Sequence, residues 1–433
     1  MRKLLTMIAA LAVCTSLGAQ SIWESYKTRA NSEHEEFLRR AWKEHRAAPP
    51  VKDPLEESRN FTEDDEMPDL KEQTSCCSFA FFGMNPGIGK PQGLDIHLDG
   101  ISEKAVADAW ADLDSNPAFT SLLVSAESAM ERLSLSGWGK VQLLDSLSRS
   151  MFPDRMNERQ LLLSHLLSSS GCPVRLGRQD GNLICLVGVR DMIYGRSYYS
   201  KDGVRFYPLR EDSRGSMHIS EDPAPGNSPL SLALDRTPVI HGGGTGTRHI
   251  KADGGIEYDF SIDRNLLSFY DAYPHTEARI KAEAPVSHAL RESLYPILKE
   301  KAAGKSEFEA VSIIQNYVGS ASSYMTDEKY WGHEKWNFPE ESCAYPYGDC
   351  DDHAILFARL TRDVLGLDVV LVDIETGSGP HMAAAIRFNE PVDGAYVTHD
   401  GQKYIYCESV SAGFRPGKLS WKDCKVTKIQ PVR

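Results

Sequence analysis

Cys350 has the residue type and the setting of a catalytic nucleophile. It stands before an apolar-periodic segment that predicts a helix ending at Gly366. A cysteine in the first turn of a helix faces unpaired amide groups and the positive end of the dipole, and both favour the thiolate. Three neighbouring aspartates oppose that shift. A cationic imidazole would therefore be needed to hold the thiolate.

His381 and Glu408 are the residues predicted to complete the site. His381 opens a predicted strand after a Gly-Ser-Gly-Pro turn, and another predicted strand follows further along the chain. If these strands pair antiparallel with Phe388 opposite Gly401, His381 lies opposite an acid. That acid is Glu408, which can orient the imidazole and stabilise its charged form. The rival, Asp400, would lie ~26 Å away along the strand.

These three residues predict acyl transfer. Cys350 would attack a carboxamide or peptide carbonyl, His381 would exchange the proton, and Glu408 would hold the imidazole. Water as the acceptor gives hydrolysis, whereas an amine gives transamidation. The candidate oxyanion donors are the Cys350 backbone amide and the side chains of Gln315 and Trp336.

Simpler interpretations of the same residues remain. Cys350 could be half of a disulfide, although other cysteines offer one another alternative partners: Cys343, Cys407 and Cys424. Cys350 and His353, three apart on one helix face, could ligate zinc. We predict no metal and no cofactor, because no second Cys-x-x-Cys or His-x-x-x-His supplies the missing ligands. Three further polar residues are predicted to lie on the surface: His353, His399 and Asp400.

The segment around Cys350 resembles the transglutaminase-like cysteine hydrolase superfamily. Trp336 to Ser342 (Trp-Asn-Phe-Pro-Glu-Glu-Ser) and Gly348 to Asp352 (Gly-Asp-Cys-Asp-Asp) are similar to bacterial members. The resemblance covers Phe308 to Val432, under a third of the chain. It implies a papain-like α+β fold with a helix packed on an antiparallel sheet. Two departures are the glutamate in place of the commoner aspartate, and the long loop before it.

Composition and the amino terminus indicate the compartment. With 48 Lys and Arg against 61 Asp and Glu, the net charge is −13, and we find no basic stripe, so nucleic acid is not an expected partner. Residues 1–19 have the charged, apolar and small-residue order of a signal peptide. This predicts export to the periplasm or the extracellular space. Lipid attachment at Cys14 is the alternative. No other apolar run approaches the ~18 residues of a transmembrane span.

The sequence predicts four regions after the leader. Residues 20–75 form a charged amphipathic helix and an acidic linker, 76–190 an α+β domain, 191–286 a β-rich connector, and 287–433 the catalytic domain. In the α+β domain, Asp180-Gly181 predicts a tight hairpin. Its register would set Cys185 opposite Leu176 and out of line with Cys172. We therefore favour two separate thiols over a disulfide.

The α+β domain also shows a faint internal repeat. A predicted helix is followed by a strand at both Gly171 and Gly366, which are 195 residues apart. This offset sets Arg155 to Asn157 against Cys350, so the first copy lacks the nucleophile. We interpret it as a degenerate transglutaminase-like domain without catalytic residues; the alternative is an unrelated helix and strand.

Taken together, the sequence predicts an exported α+β thiol protease or amidase. Its expected partners are a protein, a peptide or a small amide. Two alternatives stay open, a cross-linking protein-glutamine transamidase and a non-catalytic binding or assembly module of the cell envelope.

Overall fold

A computed structural model describes residues 79–210, 216–220, 228–377, 379–419 and 424–433. The predicted signal peptide, amphipathic helix and acidic linker lie outside these residues, as do three cysteines, Cys14, Cys76 and Cys77. The described chain divides into a short unit, Thr326–Lys335, and a large unit formed by the rest. Within the described residues, every helix is too short or too polar to span a membrane.

Four helices open the large unit: α1 (Glu103–Ser115), α2 (Pro117–Arg132), α3 (Trp138–Met151) and α4 (Met156–Ser169). The sequence pattern predicts a helical region between Ile101 and Ser168 with two long segments, around Ala105 to Leu113 and Glu158 to Leu167, whereas the structure has four helices. The division between α1 and α2 has a local cause, because the Asn116 side chain accepts a hydrogen bond from the Ala118 amide and Pro117 occupies the first turn. Helix α4 is buried on almost every side.

A five-stranded antiparallel sheet follows: β1 (Val174–Gln179), β2 (Asn182–Val189), β3 (Tyr199–Lys201), β4 (Val204–Pro208) and β5 (His218–Ile219). The strand order is β3-β4-β2-β1-β5. Leu176 lies opposite Cys185, and Cys172 and Cys185 are free thiols, so the predicted hairpin register and separate cysteines are confirmed. Three of these strands come from the region predicted to be a connector.

The middle of the chain forms a hairpin and four helices. Their bounds are β6 (Thr245–Ala252), β7 (Ile256–Asp263), α5 (Arg264–Asp271), α6 (Ala278–Glu283), α7 (His288–Ala302) and α8 (Glu307–Ala321). The apolar periodicity of the sequence predicts helix from Ser287 to Tyr317, and the structure interrupts it at Gly304, which has a φ of +71°. Ser306 then caps α8 in a capping box with Glu309.

Short elements precede the second sheet: β8 (Ser323–Tyr324), α9 (Asp327–Tyr330), α10 (Pro339–Ala344) and β9 (Tyr347–Gly348). Strands β8 and β9 pair in parallel. Helix α9 belongs to the short unit, where the Asp327 carboxylate accepts a hydrogen bond from the Lys335 amide at 2.7 Å.

Helix α11 (Cys350–Leu365) leads into a second five-stranded antiparallel sheet: β10 (Asp368–Thr376), β11 (Gly379–Arg387), β12 (Tyr396–His399), β13 (Gln402–Cys407) and β14 (Cys424–Val432). The order β12-β13-β11-β10-β14 repeats that of the first sheet strand for strand. Helix α11 packs on β10 and β11 as α4 packs on β1 and β2. The described chain is therefore α+β, with two similar helix-and-sheet halves.

Candidate active site

Cys350 is the first residue of α11, as the sequence predicted. Asp349 caps the helix, since its Oδ1 accepts a hydrogen bond from the Asp351 amide at 3.1 Å, and Asp352 completes the capping box. Gly366 ends the helix in the left-handed conformation with a φ of +68°, which confirms the predicted boundary. The capping box fixes the turn that carries the cysteine.

Two polar contacts hold the start of α11 against the preceding chain. The Asp352 carboxylate accepts hydrogen bonds from the Asn337 amide at 2.7 Å and from its side chain at 2.9 Å. His353 Nε2 lies 2.8 Å from the Ser322 hydroxyl oxygen. The prediction that His353 lies on the surface is wrong, because this ring is 1% exposed. Burial lowers the pKa of His353 to about 4.

The structure brings His381 and Glu408 together. His381 Nε2 lies 2.9 Å from Glu408 Oε2, and the Glu408 side chain is 1% exposed. The Val410 amide donates to the other carboxylate oxygen at 3.3 Å. A buried carboxylate bonded to imidazole can orient the ring and stabilise its protonated form.

The predicted register of these strands is wrong by two residues, although the contact forms. Ala384 lies opposite Cys407, so Glu408 falls beside Ala383 rather than opposite His381. A shift of two keeps a side chain on the same face of the sheet, and diagonal neighbours remain within reach. Asp400 lies in the β12–β13 turn with an 89% exposed side chain.

The Cys350 sulfur has an environment that favours the neutral thiol. Burial raises its pKa, and the carboxylates of Asp351 and Asp349 raise it further, while a backbone hydrogen bond from Met382 acts in the opposite direction. The thiol donates to Asp351 Oδ1 at 3.6 Å. Since Met382 directly follows His381, this contact places the sulfur beside the histidine-bearing segment of β11.

The two side chains predicted as oxyanion donors occupy different surroundings. Gln315 in α8 is fully buried, and its amide donates to the Glu408 carbonyl at 2.6 Å. It therefore holds the backbone of the acid. The Trp336 ring packs edge-on against His275, with ring centroids 4.5 Å apart.

Tyr324 is a residue of this site that the sequence pattern did not predict. Strand β8 pairs Tyr324 with Gly348, two residues before Cys350. Burial raises the pKa of the Tyr324 hydroxyl, and the nearby carboxylates of Asp349, Asp351 and Glu408 raise it further. Because its side chain is nevertheless 51% exposed, it combines a proton to donate with access to solvent. No local pattern marks it, since the β8–β9 pairing is only two residues long.

The same turn offers ligand atoms for a cation. Asp349, Cys350 and Asp351 each provide one ligand atom, and these atoms lie within 4.8 Å of one another. Structural zinc sites use four ligands and catalytic ones keep an open position beside three. Two carboxylates with one protonated thiol form a mixed and acidic group, and we assign it no ion.

Comparison with known proteins gives no family assignment, because no family model matches the chain and no curated protein is found to be similar.

Proposed function

We propose that the chain is an exported cysteine hydrolase, a peptidase or amidase of the transglutaminase-like type with a papain-like catalytic domain. Cys350 is the nucleophile, His381 the acid and base, and Glu408 the residue that orients the imidazole. The observation that supports this most is the 2.9 Å contact between His381 and the buried Glu408, beside the Met382 backbone that hydrogen-bonds the Cys350 sulfur.

The chemistry follows from the resting thiol. Since burial and two carboxylates favour the protonated sulfur, His381 takes the proton as Cys350 attacks the carbonyl. The tetrahedral oxyanion meets the Cys350 backbone amide and the Tyr324 hydroxyl, which keeps its proton. His381 then protonates the leaving amine, and water hydrolyses the thioester. The carboxylates of Asp349 and Asp351 favour a substrate with positive charge beside the scissile bond.

Alkylation by iodoacetamide tests the nucleophile. Peptide mass spectrometry resolves Cys350 from Cys424, which is exposed and serves as a reference within the same molecule. We expect Cys350 to react below pH 8, and His381→Ala to abolish this reactivity while Cys424 labels as before. Slow labelling of Cys350, or labelling indifferent to His381, contradicts the proposal.

A second candidate function is a non-catalytic binding module. It is favoured by the burial of Cys350, which is 9% exposed, and by the raised pKa of its thiol. This alternative predicts that Cys350 stays unlabelled under the conditions that label Cys424.

A further inference from the structure

A groove of about 390 Å³ lies in the first half of the molecule, between α3, the start of α4 and the residues that follow β4. The charged side chains of its lining are four arginines and one acid: Arg149, Arg159, Arg196, Arg210 and Asp145. Asp145 pairs with Arg149 at 2.8 Å. Among the described residues that line the groove, guanidinium groups therefore outnumber carboxylates, in a chain whose net charge is −13.

Arg159 is the buried arginine of the groove, and one of its hydrogen-bond donors has no acceptor among the described residues. The residue is 9% exposed, and among the described residues its Nε has no hydrogen-bond partner. Its Nη2 faces the Met156 sulfur at 2.6 Å, and a thioether is a weak acceptor. Burial, and then the charge of Arg149, lower the pKa of Arg159. A buried N–H donor without an acceptor is costly, and an anion that accepts a hydrogen bond from the Arg159 Nε would remove that cost.

The groove also occupies a defined place in the fold. The turn between β3 and β4 is Asp202-Gly203 and that between β12 and β13 is Asp400-Gly401, and all four residues have positive φ. Arg210 and Glu408 each lie eight residues after the aspartate of their turn. The first half thus carries an arginine where the second half carries the acid that holds His381.

We propose that this groove binds a small organic anion that carries a phosphoryl group. Guanidinium groups match phosphate oxygens in bidentate pairs, and several of them suit a multiply charged group. The groove volume is that of a small-molecule site. Apolar lining is also present, since Trp138, Val141 and Leu209 border the groove. The proposal is independent of the chemistry at Cys350.

Isothermal titration calorimetry of the full chain with inorganic pyrophosphate tests the site. At constant ionic strength, we expect Arg159→Gln and Arg149→Gln each to raise the Kd tenfold or more. Arg236→Gln is the matched control, because it removes one positive charge from a residue that pairs with Glu131 and Asp235 outside the groove. Its Kd should stay within twofold of the unmodified chain. Citrate, titrated in parallel, should bind more weakly than pyrophosphate.

Several results would overturn the proposal. If pyrophosphate does not bind at millimolar concentration, or if all three variants lose the same affinity for it, the groove is not an anion-binding site. If citrate binds more tightly than pyrophosphate, the ligand does not need a phosphoryl group and that part of the proposal is wrong. Circular dichroism would show whether Arg159→Gln unfolds. If it does, Arg149→Gln alone decides the test. The Arg149 side chain is 54% exposed, so its replacement leaves few buried polar groups without a partner.

Discussion

Replacing Asp351 by asparagine should make Cys350 more reactive. In the folded protein the thiol donates to Asp351 Oδ1 at 3.6 Å, and the Asp351 charge is, after burial, the largest cause of the raised Cys350 pKa. Asparagine has nearly the same shape and no charge. The substitution therefore isolates the electrostatic contribution of one neighbouring carboxylate.

The size of the effect follows from Coulomb's law at that separation. Two unit charges 3.6 Å apart interact by ~1 kcal/mol in water and by ~5 kcal/mol at an effective dielectric constant of ~20. Asp351 is partly exposed, so solvent screening places the value between these limits. At ~1.4 kcal/mol per pKa unit, the Cys350 pKa should fall by ~1 to 3 units.

The assay is the second-order rate of iodoacetamide alkylation at Cys350 as a function of pH. We expect the midpoint of the pH profile to move down by at least one unit in Asp351→Asn. Asp400→Asn is the matched control, because it removes an exposed acid from a turn of the same domain and asparagine tolerates the positive φ of that position. A midpoint that stays in place or rises in Asp351→Asn refutes the electrostatic account of this site.

Two further substitutions test neighbouring parts of the site. Glu408→Gln should slow alkylation of Cys350 at pH 7 by ~10- to 100-fold, because a charge-assisted hydrogen bond worth ~1.5–3 kcal/mol is lost; an unchanged rate would contradict the role of Glu408. The pKa of His353 is about 4 in the folded protein and ~6.5 in an unfolded chain, so the unfolded state binds more protons between these values and stability should fall by ~3 kcal/mol as pH drops from 6.5 to 4. Urea unfolding should show that His353→Gln lacks this part of the pH dependence, whereas an unaltered slope would assign the dependence to other groups.

Local signals were sufficient for the helix that carries Cys350 and for the hairpin between β1 and β2. The end of α11 at Gly366 and the hairpin at Asp180-Gly181 follow from backbone conformations that glycine adopts at little cost. The contact between His381 and Glu408 was predicted from a pairing of β11 with β13 that is wrong by two residues. It survives because the error was an even number of residues, which leaves each side chain on its own face of the sheet.

Features that depend on distant parts of the chain could not be predicted in this way. The chain between β11 and β13 forms the extra strand β12, which pairs with β13 from the other side, and nothing in the linear pattern fixes where that hairpin begins. Tyr324 reaches the site through a parallel pair of only two residues. The four arginines of the groove are spread from position 149 to position 210, so an overall charge of −13 conceals them.

The two halves of the molecule explain why one fold can hold such different sites. The two sheets have the same strand order, and Arg210 and Glu408 each lie eight residues after the aspartate of the preceding hairpin turn. At this position the Glu408 carboxylate accepts a hydrogen bond from an imidazole, whereas the Arg210 guanidinium lines a groove together with three other arginines. The backbone supplies the position and the side chain determines whether it stabilises a cation or an anion.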